Sequence, residues 1–288
     1  MLFRSHPAAA RVNLVLQGAP LSGDALSEIV ALTGASHVVT LGPSAWRLAR
    51  AAEQPQVQPW CAQRGLDWAW VPDERRLGEL RLVAMDMDST LVTIESIDEM
   101  GGMLGIRDRV AAVTAQAMRG EIDYAESLRR RVALLAGLEE AALERICEQR
   151  MHLSPGAEAL LDRCRERGIR TLLVSGGFEF FTAWLKQRLQ IDEVLSNVLE
   201  IDRGRLTGRV LGAIVDGRAK AAKLREVMDR LGLARAQVLA IGDGANDVPM
   251  MSEAGVSVAY RAKPAVREHA THALDYSGLD GALHLFIG

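Results

Sequence analysis

Three short apolar runs, "LRLVAMD", "GIRTLLVSGG" and "AQVLAIGDG", recur along the chain from residue 80 onward. The second and third are entered from helical patterns, and all three are left through glycine or acidic residues. Runs of this kind predict buried strands, and their alternation with helices predicts a parallel sheet covered on both faces. The helix before the second strand reads as capped by Ser154, with Pro155 at its first position and Gly168 past its end. Between the first two strands, residues 94 to 150 carry four helical segments, "SIDEMGGMLG", "RDRVAAVTAQAMRG", "DYAESLRRRVALLAG" and "LEEAALERICEQRM". A direct crossover needs only about a dozen residues, so this block predicts an inserted cap. Asp123 and Glu126 form a capping-box-like pair at the third segment. "NVLEIDRGRLTGRVLG" predicts a hairpin turning at Arg203-Gly204.

Upstream the pattern differs. "RVNLVLQG", "SHVVTLG" and "GLDWAWVP" read as strands, "SGDALSEIVALTG" as a helix, and residues 45 to 53 as an alanine-rich helix. Trp68 and Trp70 alternate with Ala69 and so face one side of a strand, where packing is the expected role. The charged stretch "PDERRLGEL" marks a domain edge. The expectation is a small α+β unit over residues 1–78 and a larger α/β unit over 79–288, with its cap at about 94–150.

Composition narrows the classes. A formal net charge of -3 over 288 residues predicts neither a nucleic-acid nor an acidic-membrane partner. Cys61, Cys147 and Cys164 show no CxxC spacing, which argues against a disulfide framework or a zinc site and for a reducing compartment. The opening "MLFRSHPAAARVNLVLQ" does not read as a signal peptide, and no run has the length of a membrane span. A soluble cytoplasmic protein is expected.

The candidate chemistry sits at the strand ends. The first offers Asp86, Asp88 and Thr90, the second Ser175, Gly176 and Gly177, and the third Asp243, Asn246 and Asp247. A lone DxD is more often a turn than a site. Three such ends of one parallel sheet converge on a crevice where ligands bind. Four aspartates there repel one another unless a cation is present, and an all-oxygen donor set favours magnesium. Magnesium shares phosphate oxygens readily, so a phosphate ester is the expected substrate. "SGG" adds N–H groups and a hydroxyl for the phosphate, and Lys220 or Lys223 a compact positive charge. One aspartate can then act as nucleophile and the other as proton shuttle. Local pattern leaves both lysines open. His152, His269 and His272 have no metal-ligand spacing.

"DMDST", "VSGGF", Lys220 and "GDGAND" resemble the ordered motifs of the haloacid dehalogenase superfamily of aspartate-nucleophile phosphatases. More narrowly, "MDMDSTLVTIESIDEM", "AMRGEIDYAESLRRRVALL", "SGGF" and "AIGDGANDVPM" are similar to its phosphoserine phosphatases, over about residues 81 to 275. The resemblance implies a Rossmann-like fold with a helical cap, and magnesium-dependent hydrolysis of O-phospho-L-serine through an aspartyl-phosphate, the last step of serine biosynthesis. It implies Asp86 as nucleophile and Asp88 as general acid/base, with magnesium held by the carboxylates of Asp86 and Asp243 and the main-chain carbonyl of Asp88. Asp247 supports the metal from close by. Ser175, Gly176, Lys220 and Asn246 hold or position the phosphoryl group, family spacing selecting Lys220 over Lys223. Glu95 meets the substrate ammonium and Arg131 its carboxylate, while Met118 and Tyr124 line the pocket. Phenylalanine is frequent in the family at the position of Tyr124.

The residues bear independently on these cap roles. Tyr124, Leu128, Arg131, Val132 and Leu135 share one helix face, where a carboxylate clamp explains an arginine among apolar neighbours. The bland alternatives are a snorkelling Arg131 and a first-turn carboxylate in Glu95. The N-terminal unit resembles ACT-like modules, with regulation or homodimer formation as the implied role. The alternative function is a phosphatase or phosphotransferase of the same superfamily acting on another small phosphomonoester. A non-enzymatic sensor is disfavoured by the intact acidic set, and a receiver-type domain by the helical insertion.

Overall fold

The computed structural model describes residues 12–288. The reading of the opening segment as no signal peptide, and the first residue of "RVNLVLQG", fall on residues 1–11 wholly or in part and to that extent lie outside them. Two sheets organise the rest. The first contains β1 (Val12–Gln17), β2 (His37–Gly42), β3 (Ala45–Ala51) and β4 (Asp67–Val71), antiparallel throughout in the order β2-β3-β1-β4. Helices α1 (Gly23–Thr33) and α2 (Val57–Ala62) cover one face, where Leu14, Leu16, Trp46 and Leu48 pack with Ile29, Val57 and Trp60. The Ser22 hydroxyl accepts from the Ala25 N–H to start α1, and Gly34 ends it. Val15, Ala69 and Val71 of the opposite face join the core of the larger sheet.

The alanine-rich helix expected at 45–53 is instead strand β3. Its backbone pairs with β1 on one side and β2 on the other, and Trp46 and Leu48 are buried against the helices. Two ladders and a buried tryptophan outweigh the helix propensity of four alanines. Trp68 and Trp70 meet edge to face at 6.3 Å and are half-buried against the same cluster.

The second sheet holds β5 (Leu82–Met85), β6 (Arg170–Phe178), β7 (Glu193–Asp202), β8 (Arg205–Leu211), β9 (Val238–Gly242), β10 (Val256–Tyr260) and β11 (His272–Leu274). Its order is β11-β10-β9-β5-β6-β7-β8, parallel except for the β7–β8 hairpin. That hairpin turns through Arg203 and Gly204, both at positive φ (49° and 73°) as a tight two-residue turn requires. All four residues of β5 are buried, because the strand is central and covered on both faces. From β5 the chain moves to β6 on one side and later to β9 on the other. The carboxyl ends of these three strands therefore border a topological switch point, the place where such sheets bind ligands.

Over that point sits the cap, α3 (Ser96–Met103), α4 (Arg107–Met118), α5 (Tyr124–Leu134) and α6 (Glu140–Gln149). The Asp123 carboxylate accepts from the Glu126 N–H at 2.7 Å and starts α5. Helix α7 (Ala157–Glu166) begins later than Ser154 and Pro155 suggest. The Ser154 N–H donates to the Leu91 carbonyl and the Pro155 carbonyl accepts from Leu279, so both residues serve the adjoining segments. Gly156 becomes the cap at φ 76°, where a Cβ would collide with the Asp280 carboxylate. Helices α8 (Glu179–Leu189) and α9 (Gly217–Leu231) follow β6 and β8. Among the described residues no helix is long and apolar enough to cross a membrane.

Candidate active site

Asp86 directly follows β5, and its N–H extends the ladder to the Ile241 carbonyl of β9 at 3.0 Å. Asp243 directly follows β9, which brings the two acids side by side. One oxygen each from Asp86, Asp243 and Asp247 lies within 4.8 Å of the others. Lys220, on the first turn of α9, is 0% exposed and donates to Asp86 Oδ1 and Asp247 Oδ1, both at 2.7 Å. Asp247 Oδ2 accepts from the Gly244 N–H at 3.0 Å, and Asp243 Oδ1 accepts from the Thr90 hydroxyl at 3.1 Å. Lys223 instead pairs outside the crevice with Glu226 and Glu193.

Charge is unbalanced here. Burial, then the neighbouring Asp247, push Asp86 well above the usual carboxylate range, against the pull of Lys220. Burial and the Asp247 charge likewise raise Asp243 to about 7. Burial favours the neutral form of Lys220, but Asp247 and Asp86 outweigh it and raise the ammonium above its ordinary value. The donor set is carboxylate throughout, clustered and short of positive charge. That chemistry fits a hard divalent cation.

Asp88 lies beyond this cluster. Its Oδ1 accepts from the Ser96 N–H at 3.1 Å and its Oδ2 from the Ser96 hydroxyl at 2.8 Å. Burial, then the charge of Glu95, raise it to about 7, while the Ser96 bonds oppose the shift. Glu95 accepts from the Ser89 hydroxyl at 2.6 Å and is itself raised, mainly by burial. On the phosphate-loop side, Ser175 Oγ accepts from the Gly177 N–H at 2.8 Å. The Gly176 carbonyl accepts from Asn197 Nδ2 at 2.8 Å and from the Tyr124 hydroxyl at 3.3 Å. Burial pushes Tyr124 up to about 12, so it stays a neutral donor.

A crevice of about 130 Å³ is lined by Asp86, Asp88, Glu95, Tyr124, Arg131, Ser175, Gly176, Asp243 and Asn246, among others. Lys220 and Asp247 lie fully buried against Asp86, outside that lining. Arg131 makes no ion pair among the described residues, and only its Nε is engaged, in a long 3.4 Å contact to the Ser127 carbonyl. Met118 stands apart: at the end of α4 it is 68% exposed and outside the lining. Two further residues shape the site that sequence reasoning did not single out. Ser96, the first residue of α3, holds Asp88, and its local sequence carries no signal of that role. Asn197 bonds the Gly176 carbonyl and accepts from the Val215 N–H at 2.8 Å, and nothing in its own neighbourhood announces that role.

The family description haloacid dehalogenase-like hydrolase matches residues 83–252, and a domain of unknown function matches residues 14–57. The chain is 51% identical over 216 residues to a phosphoserine phosphatase of Albidiferax ferrireducens, covering 73% of this chain and 91% of that one. A probable phosphoserine phosphatase from Vibrio cholerae superposes with a TM-score of 0.85 at 33% identity, covering 97% of this chain and 88% of that one. A structure described as a phospho-aspartyl intermediate analogue of phosphoserine phosphatase superposes with a TM-score of 0.67 at 34% identity, covering 72% of this chain and 99% of that one.

Proposed function

Since the chain belongs to the haloacid dehalogenase-like hydrolase family, we propose that it hydrolyses O-phospho-L-serine to L-serine and phosphate through a phosphoryl group carried on Asp86. The observation that carries this reading is the pairing of two differently held acids at the end of β5, facing a cap that presents Glu95 and an Arg131 with no ion pair among the described residues. The relatives named for phosphoserine support the substrate, and the phospho-aspartyl analogue supports the intermediate.

An oxygen of Asp86 attacks phosphorus as the bond to the serine oxygen breaks. Asp88, poised near neutrality, donates its proton to that oxygen. It then takes a proton from the water that attacks the same phosphorus, and the bond to Asp86 breaks. Lys220 fixes Asp86 and offers positive charge to the phosphoryl oxygens, which also meet the Ser175 hydroxyl and the Gly176 N–H, with Asn246 beside them. Glu95 takes the substrate ammonium and Arg131 its carboxylate. Tyr124 closes the apolar side, and Met118, exposed at the end of α4, stands outside the pocket. Asp86, Asp243 and the main-chain carbonyl of Asp88, backed by Asp247, would hold magnesium, which neutralises charge on the phosphoryl oxygens when bound. The reaction is the last step of serine biosynthesis. The strand order of the N-terminal sheet supports an ACT-like unit over residues 1–78 with a regulatory or dimerisation role.

Phosphate release from a panel of phosphomonoesters with magnesium, using wild type and Arg131→Ala, tests the substrate. Losing a charge-assisted carboxylate contact should lower kcat/KM for phosphoserine by about 100-fold. Esters without a carboxylate should change by less than about threefold, since they never used that contact. A uniform loss, or none, would point to a different small phosphomonoester.

A further inference from the structure

The fully buried Ser96 engages both oxygens of Asp88, one through its N–H and one through its hydroxyl. It is also the first residue of α3, the first cap helix, and the immediate neighbour of Glu95. The segment between is a closed turn. Ser89 is held at φ 57°, its N–H donates to the Ile94 carbonyl at 3.1 Å, and its hydroxyl donates to Glu95. An L residue in that left-handed conformation persists only where its surroundings over-determine it. The direction in which Asp88 points is also on view. A Cβ placed on Gly177 would lie 3.0 Å from Asp88 Oδ2 and 3.0 Å from Ser175 Oγ. The oxygen that the Ser96 hydroxyl holds therefore abuts the phosphate loop.

We propose that Ser96 is a positioning residue that aims the Asp88 carboxyl at the ester oxygen and ties that aim to the seating of the cap through Glu95. The inference rests on the reading of Asp88 as the group that protonates the leaving alcohol. A carboxyl group free to rotate about its side-chain bonds spends little time in line with the ester oxygen. Two bonds from one buried residue remove that freedom before substrate arrives. Because Ser96 begins α3, a cap that is not seated moves the donor and the acid together. Proton donation is then coupled to the seating of the cap that carries Glu95 and Arg131.

The test compares phosphoserine with p-nitrophenyl phosphate, whose phenolate leaves without a proton. Ser96→Ala should lower kcat/KM for phosphoserine by about tenfold to hundredfold, mostly in kcat, because misplaced general-acid catalysis forfeits part of its 10²–10⁴ contribution. For the aryl ester kcat/KM should stay within about threefold, since it reports phosphoryl transfer to Asp86 alone. Activity on the aryl ester also reports that the variant is folded. Ser96→Thr keeps the hydroxyl and should restore phosphoserine turnover. Equal losses on both esters, no loss on either, or failure of threonine to rescue would overturn the positioning role. Wild-type enzyme that turns over the aryl ester but not phosphoserine would instead sink the substrate reading, so the two failures are distinguishable.

Discussion

Replacing Lys220 by methionine removes the one cation that, among the described residues, is bonded to Asp86 and Asp247, while roughly preserving side-chain volume. Both carboxylates are buried and each bonds the ammonium at 2.7 Å. Removing one partner of a buried ionic cluster costs about 3–5 kcal/mol, because the remaining charges stay uncompensated. At roughly 2–4 °C per kcal/mol for a domain of this size, Lys220→Met should melt about 6–20 °C below wild type in chelator at neutral pH. Lys223→Met is the control. Its partners Glu226 and Glu193 lie at 2.8 and 3.6 Å near the surface, an arrangement worth about 0–1 kcal/mol, so it should melt within about 3 °C of wild type. The pH dependence follows from Asp86, whose folded-state value is raised by burial and by Asp247. A carboxyl with a raised folded value binds more protons folded than unfolded, so its contribution falls as pH rises through the window above the usual carboxylate value. Without Lys220 that window widens, and the deficit should shrink as pH is lowered. Differential scanning calorimetry across pH measures all three. A Lys220→Met melt within about 2 °C of wild type at neutral pH would refute the reasoning.

Two further predictions concern the joint between the N-terminal unit and the larger sheet. Buried Asp67 accepts from the N–H groups of Asp275 (2.8 Å), Tyr276 (3.1 Å) and Ser277 (2.8 Å), and from the Ser277 hydroxyl. Asp67→Ala orphans those donors and should cost about 4 kcal/mol in urea unfolding, with a loss below about 1 kcal/mol contradicting the bracing role. His272 is pushed down from 6.5 to about 4, first by burial and then by the Arg75 charge. Its neutral form is the one the fold accommodates, so stability is complete above the unfolded value and is lost as pH falls toward the folded one. About 2 kcal/mol should disappear between pH 7 and pH 5, and His272→Gln should flatten that slope; an unchanged slope would contradict it.

The three strand ends were legible because each signal is local: an apolar run, then an acid or a serine beside glycine. Parallel-sheet topology then supplies the convergence without any further information. Ser96 and Asn197 were not legible, because each acts by bonding a partner chosen by the fold. Ser96 reaches back 8 residues to Asp88, Asn197 reaches 21 residues to Gly176, and Asp67 reaches 208 residues to Asp275. Strand β3 was misread for a related reason: beside its local hairpin with β2 it needs a second ladder to the distant β1, and its tryptophan is buried against α1 and α2, none of which its own residues announce. Lys220 and Lys223 look alike in sequence. What separates them is position along α9: Lys220, on its first turn, reaches Asp86, while Lys223, a turn further from the crevice, pairs with Glu226 and Glu193.

The central claim is that Asp86, and no other group, carries the phosphoryl group during turnover. Acid quench of the enzyme during phosphoserine hydrolysis with magnesium, followed by peptide mass mapping, tests it most directly. The account predicts one phosphoryl group on the peptide containing Asp86 in wild type, and none in Asp86→Asn, which should also lose the burst of product. A phosphoryl group on another residue, or a burst that survives in Asp86→Asn, would contradict it.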